Sequence, residues 1–293
     1  IPRATSLSNC CSVNWEAIYC VMLAHILRKW KQYRYRFVPW IAMTLKDRSV
    51  RAVQDKSQDK IISDQDVYTC LLNLFEGLYQ RSKSKFYPIG PDLYKRNLNV
   101  MDSVLGFQTE RQPSVLTDGG VGVIVTKGIV PNGSIVSMYP GTIYQPHEPT
   151  FFQSLGNQFI FRCIDGLLID GNDRKLSRFI YKSCAQRDRI VPYMTCDISW
   201  LTPHPINPLA VGQYVNNQSK KFAANVVYQE YDVPEDFPFH LRQYIPNNHY
   251  SSSLEDTYLK TSLERLTRVV VLVALRDIHP GEELLSSYFT IVH

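Results

Sequence analysis

From about residue 118 onward the chain is written in short apolar runs, each stopped within a few residues by turn-forming residues. VGVIV (121–125) is followed by the turn Pro131-Asn132-Gly133 and by SIVSMY (134–139). FIFRCIDGLLID (159–170) reads as two strands around Asp165-Gly166, and NVVYQEYDV (225–233) and VVVLVAL (269–275) add two more. Several short strands with Gly and Pro turns, and few long helices, predict a mostly β domain of small sheets.

The part before it is different in kind. Ser63-Asp64-Gln65-Asp66 has the form of a capping box, with Ser63 as the cap and an acid three residues on. Val67, Leu71, Leu74, Phe75 and Leu78 follow at helical spacing, which predicts a helix ending near Tyr79. RSKSKFYPIGP (81–91) reads as a basic loop broken by Pro88, Gly90 and Pro91, and the polar stretch 46–60 as a linker. The expected organisation is a basic and aromatic segment over 1–60, a helical region over 61–117, and the mostly β domain over 118–290 with an insertion at about 232–268.

Composition limits the chemistry. With 293 residues, 44% hydrophobic and 12% aromatic, the chain has enough apolar surface for a core, and global disorder is not expected. A net charge of +5 permits an acidic partner without demanding one. Seven cysteines are scattered with no C-x-x-C pair and no histidine at zinc-ligand spacing. Neither a disulfide framework nor a metal site is expected, and the thiols read as reduced, in an intracellular protein. WEAIYCVMLAHIL (15–27) is too short for a membrane span and is broken by Glu16 and His25, so it is read as an amphipathic helix and no transmembrane span is expected.

RKWKQYRYRFVPW (28–40) alternates Arg28, Lys29, Lys31, Arg34 and Arg36 with Trp30, Tyr33, Tyr35 and Phe37. This fits a basic helix whose aromatic face packs on its own domain. It also fits a surface from Arg28 to Arg36 for an anionic partner, whether nucleic acid or membrane. No G-x-x-x-x-G-K-[ST], G-x-S-x-G or H-E-x-x-H occurs, which argues against nucleotidase, hydrolase and metalloenzyme readings. There is also an internal echo. Lys127-Gly-Ile-Val-Pro-Asn-Gly leads to Tyr139, and Arg276-Asp-Ile-His-Pro-Gly leads to Tyr288, as similar hairpins rather than a true repeat.

Four small segments remain. Gly120-Val121-Gly122 stands beside a strand, where missing side chains let a ligand approach the backbone. Tyr139-Pro140-Gly141 ends another strand; Gly212 to Asn217 (GQYVNN) ends in paired amides; Gly281-Glu282-Glu283-Leu284 leads to Tyr288. Singly each is weak, since paired asparagines are commonly turns and tyrosines commonly packing. Their order is specific. GVGVIVTKGIVPNGSIVSMYPG, FIFRCIDGLLIDGND, GQYVNNQS with AANVVY, and GEELLSSY together resemble a SET domain over residues 118–290. Similarity to one member of that family begins near Arg28, in YRYRFVPWIA and VSMYPGTIYQ.

The resemblance implies the β-clip fold of small antiparallel sheets, with the helical region as an N-terminal extension. It implies a protein-lysine methyltransferase using S-adenosyl-L-methionine on a protein or peptide substrate, without a metal. It makes Tyr288 the catalytic phenol and a wall of the cofactor site, and Gly120, Val121 and Gly122 the glycine-rich cofactor motif. Asn216 would contact the donor through its amide, Asn217 would pair with the adenine through main-chain atoms, and Tyr139 would lie near the donor and the channel. Asp170 and Asn225 match structural positions.

The reaction suits such a site. Methyl transfer from a sulfonium to an amine is an in-line displacement whose rate comes mostly from positioning. An apolar, tyrosine-rich channel favours the neutral amine and receives a cationic donor against aromatic faces. The sequence departs from the family where Asn217 replaces histidine, Gln218-Ser219 replaces Ser-Cys, and Thr142 replaces an acid. The insertion at 232–268, or the N-terminal helices, would have to wall the channel in place of the family's cysteine-rich segment. These departures keep open a second reading, a SET-like protein-interaction module without catalysis. Glu282 and Glu283 are read as solvated turn acids.

Overall fold

A computed structural model describes residues 20–21, 24, 33–36, 50–54, 59–84, 89–117, 119–190, 193–251 and 266–292. The helical region forms as its spacing predicts. The Ser63 amide donates to Asp66 Oδ2 (3.2 Å) and the Asp66 amide to Ser63 Oγ (3.1 Å), which satisfies donors at the helix start reciprocally. Helix α1 (Asp64–Ser84) buries Val67, Leu71, Leu74, Phe75 and Leu78 along one stripe. It runs past Tyr79 to Ser84, with Gln80 bonded back to Glu76 and Ser82 to the Tyr79 carbonyl. A second helix, α2 (Pro91–Leu105), starts on a proline and stops at Gly106, whose φ of 84° is the left-handed ending glycine allows. The two helices approach closely at Gly77, where an added Cβ would stand 3.1 Å from Val100.

The strands are β1 (Tyr33–Arg36), β2 (Arg51–Val53), β3 (Gln108–Pro113), β4 (Val121–Lys127), β5 (Ile135–Tyr139) and β6 (Gly141–Tyr144). After the short helix α3 (Phe151–Ser154) come β7 (Ile160–Arg162) and β8 (Leu168–Asp170), then helix α4 (Lys175–Arg187). The chain finishes with β9 (Asn216–Asn217), β10 (Val226–Val233), β11 (Asn247–His249), β12 (Thr267–Ala274), β13 (Leu285–Ser286) and β14 (Phe289–Val292).

The fold is mainly β and made of small sheets, with α1 and α2 preceding the bulk of it. Seven strands lie in the order β11-β6-β8-β7-β1-β14-β2, three in the order β10-β12-β5, and β13-β9 and β3-β4 form two pairs. Most pairings are antiparallel; β11 with β6, β13 with β9 and β14 with β2 are parallel. The strand-like runs are all found. Helix α4 is an addition: its buried residues are Ser177, Tyr181, Cys184 and Ala185, a helical stripe too polar to stand out by hydropathy.

Described residues of the stretch 232–268 belong to the core. β11 pairs with β6, and Phe237 meets Tyr68 and Phe75 of α1 at ring distances of 5.6 and 6.2 Å. No described cysteine is in a disulfide, and no helix among the described residues is long and apolar enough to cross a membrane. Within 15–27 only Cys20, Val21 and Ala24 are described, and they are helical.

Of the basic and aromatic run 28–40, only residues 33–36 are described, and they form β1, a strand rather than a helix. Arg34, Tyr35 and Arg36 are all buried, with Tyr35 packed on Phe161 and Tyr228 at 5.0 Å each. Arg34 is ion-paired to Asp59 and Glu230. Arg34 therefore offers nothing to an anionic surface partner, because its guanidinium is spent on two buried carboxylates, while Arg36 is withdrawn from the outer surface; Arg28, Lys29 and Lys31 lie outside the described residues.

Candidate functional site

The hairpin β3–β4 carries the glycine motif. Gly120 adopts φ 60°, a left-handed turn conformation, with open space where a side chain would be. Gly122 is constrained differently: a Cβ there would come within 2.1 Å of Glu283 Oε1. Glu283 is not a solvated acid. It is buried, and its carboxylate accepts from Ser114 Oγ (2.8 Å), the Val115 amide (2.8 Å) and Asn216 Nδ2 (2.9 Å). Asn216 Nδ2 also reaches the carbonyls of Gly119 (3.1 Å) and Val121 (3.2 Å). The amide nitrogen is thus spent on the protein, fastening the glycine loop to β9. Glu282 is the turn acid, bonded to Arg276 (2.6 Å) and the His279 amide (2.8 Å).

The echoing hairpins lie against each other. Val130 and Ile278 exchange two backbone bonds of 2.9 Å, and Gly281 donates to the Val125 carbonyl at 2.8 Å. This contact brings GEELLSSY to the glycine motif. β13 then runs parallel to β9, with Leu285 opposite Asn216 and Ser286 opposite Asn217. Asn225 secures the turn, its amide nitrogen on the Glu283 carbonyl and its oxygen on the Leu285 amide, both at 2.8 Å.

Tyr288 falls between β13 and β14. Its amide donates to Asn217 Oδ1 (2.9 Å) and its hydroxyl to the Val215 carbonyl (2.9 Å). The Arg36 guanidinium lies over its ring at 4.1 Å. Burial pushes the phenol up to about 12, with Arg36 pulling the other way, so it is neutral at physiological pH and acts as a hydrogen-bonding group, not a base.

A cleft of about 850 Å³ opens here, and Gly120, Val121, Asn216, Asn217 and Tyr288 are on its wall. Phe159, Tyr214 and Arg36 complete the inner surface. Two expected site residues are elsewhere. Gly122 lies behind the wall under Glu283, and Tyr139 is fully buried, its hydroxyl accepting from Arg36 (2.6 Å) and donating to the Phe159 carbonyl (2.7 Å). No described residue of 232–268, α1 or α2 lines the cleft; its walls come from 115–117, 119–121, 158–159, 173–174, 213–222, Tyr288 and β1.

Two departures from the family pattern have structural readings. Asn217 supplies a side-chain acceptor for the Tyr288 amide, so this position works through its side chain as well as its backbone. Thr142 is buried opposite Asp170 in the β6–β8 ladder, where an acid would face an acid already raised to about 6 by burial.

No protein-family model matches the chain. SET domain-containing protein 9 of Homo sapiens is 46% identical over 303 residues, covering 92% of this chain and 98% of the human one. SET domain-containing protein 9 of Pongo abelii is 47% identical over 274 residues, covering 83% and 97% respectively. Among solved structures, KRYPTONITE in complex with mCHH DNA, an H3(1–15) peptide and SAH overlaps at a TM-score of 0.31 and 18% identity, over 62% of this chain and 23% of that one.

Proposed function

We propose, for a chain that belongs to the SET domain-containing protein 9 family, that the cleft binds S-adenosyl-L-methionine and that Tyr288 serves methyl transfer to a lysine side chain of a protein. One observation carries the reading. The phenol expected to be catalytic is on the same wall as Gly120, Val121, Asn216 and Asn217, four of the residues expected to hold the donor. The open space at Gly120 lets a ligand lie against backbone there.

Bound in the cleft, the donor would supply the methyl group, its sulfonium becoming a neutral thioether as the amine takes the methyl. The chain's part is positioning. The Val215 carbonyl and the Arg36 guanidinium fix the Tyr288 ring, and Asn217 fixes its backbone. A phenol so held presents a fixed dipole to the reacting atoms without changing its own protonation. The amine must give its proton to solvent before attack, and the apolar faces of Phe159 and Tyr214 favour the neutral form.

The test is calorimetric titration of S-adenosyl-L-methionine into wild type and Asn216→Ala, both shown to be folded, followed by labelling of peptide arrays. Saturable binding that weakens in the variant, with transfer to lysine, supports the reading. Donor binding without any labelling would leave a SET-like interaction module; no binding at high donor concentration would overturn the donor site itself.

A further inference from the structure

β1 buries two arginines, and only one has a counter-charge. Arg34 is held by two carboxylates, Asp59 and Glu230. Arg36 is buried to the same degree, each being 6% exposed, yet among the described residues no carboxylate is bonded to it. Its Nη1 meets the Tyr139 hydroxyl at 2.6 Å and the Gln158 carbonyl at 3.4 Å, and its Nη2 meets the Tyr228 hydroxyl at 3.4 Å. Nε has no partner. A guanidinium has five donors. Here one makes a short bond, two make bonds at the outer limit of length, and the partners are phenol hydroxyls and a carbonyl, not a carboxylate.

Burying a cation without an anion is costly unless something supplies the opposite charge. The side chain is on the wall of the cleft, so a ligand can supply it. Its surroundings there are also net cationic, with Arg174 and Lys221 on the same wall against the single acid Asp173, which pairs with Arg174 at 3.5 Å and accepts from the Tyr214 hydroxyl at 2.6 Å. The cleft therefore favours a ligand with an anionic group at the Arg36 end. A planar carboxylate matches the guanidinium fork.

We propose that Arg36 anchors the carboxylate at the amino-acid end of the donor. This rests on the reading of the cleft as a donor site. It gives Arg36 a binding role beside Tyr288. The same guanidinium that stacks on the phenol would hold the far end of the ligand, fixing the distance between the carboxylate and the transferring methyl.

The test uses S-adenosylhomocysteine and its decarboxylated analogue, which keeps the nucleoside, the thioether and the amine. Both are titrated calorimetrically into wild type, Arg36→Lys and Arg36→Met. Wild type should bind S-adenosylhomocysteine roughly ten- to a hundredfold more tightly, the range of a charge-assisted hydrogen bond. In Arg36→Met that ratio should fall toward one while the analogue's affinity barely moves, and Arg36→Lys should be intermediate. A merely structural arginine would weaken both ligands alike and leave the ratio unchanged, which would overturn the proposal. Equal affinities in wild type would overturn it too, with the donor site left standing. Should neither ligand bind folded wild type, the donor reading falls and this one with it. If Arg36→Met does not fold, the wild-type ratio and Arg36→Lys decide.

Discussion

Two hairpins with similar spelling end in tyrosines that meet the same arginine, one from inside the core and one from the cleft. Tyr139 closes β5 in register with Val270 of β12, is fully buried, and is wedged so tightly that a Cβ on Gly171 would come within 2.8 Å of its ring. Tyr288 lies in none of the named strands, and its one backbone bond to a neighbouring strand is a long one, its carbonyl accepting from the Arg36 amide at 3.4 Å. Its amide is taken by a side chain, Asn217, and its ring stays on the cleft wall. Burial raises the pKa of both phenols, making them weaker acids, that of Tyr139 beyond that of Tyr288. The difference teaches that strand spelling alone does not assign a tyrosine's role. A residue bound into a ladder has its direction fixed by the sheet, whereas one whose amide is captured by a side chain is free to face a ligand.

This contrast can be broken experimentally. Tyr288→Phe should lower methyl transfer about a hundredfold or more, while donor affinity stays near wild type and the lost bond to the Val215 carbonyl costs only about 1 kcal/mol of stability. Full transfer by the folded variant would remove Tyr288 from the chemistry. Tyr139→Phe should act on stability instead. Losing the acceptor of the Arg36 bond and the donor to Phe159 should cost about 1–3 kcal/mol, read as a lower urea midpoint with an unchanged slope. If Tyr139→Phe were fully stable yet inactive, the division between core and cleft tyrosines would be wrong.

Smaller effects sharpen the same division. Asn217→Ala leaves the Tyr288 amide without its acceptor and should cost about 1 kcal/mol of stability, with a severalfold loss of transfer but no change in peptide preference. On the core side, burial raises Asp170 to about 6 against the hydrogen bonds from Ser177, Asn157 and the Asn172 amide. Its folded value lies above the unfolded one, so the protonated acid favours the folded state. That contribution is fully present below about pH 4 and is lost as pH rises through about 6. Denaturant titrations across this window should show wild type losing stability relative to Asp170→Asn as pH rises; parallel curves would mean that Asp170 does not titrate as its burial implies.

What the sequence disclosed follows the range of the forces involved. The capping box at Ser63 and Asp66, the stripe from Val67 to Leu78 and the strand-like runs are set by neighbours a few residues away, and all were legible. Helix α4 was not, because its inward stripe includes Ser177 and Cys184, too little apolar contrast to reveal a period. β3, spelled QTERQP, forms because β4 pairs with it, not because its own residues favour a strand. The site residues divide the same way. The order of the short motifs pointed to Gly120, Asn216 and Tyr288, but Arg36 and Glu283 depend on partners distant in sequence. Nothing near Arg36 says that it will be enclosed by Tyr139, Tyr228 and Tyr288, and nothing near Glu283 says that Ser114 and Asn216 will close on it.

The large sheet sets β1 directly beside β14, with Tyr33 opposite Ile291 and Tyr35 opposite Phe289. The strands most separated in sequence are therefore neighbours at the sheet's interior, and β1 cannot be enclosed on both sides until the last strand has emerged from the ribosome. Loop closure over so long a span is slow, and every contact of Arg36 with Tyr288 waits on it. Assembly of the cleft should be among the late events of folding, visible in stopped-flow refolding as ligand-binding competence that lags behind the burial of α1. If competence arose together with α1, the cleft would have to form without its β1 wall.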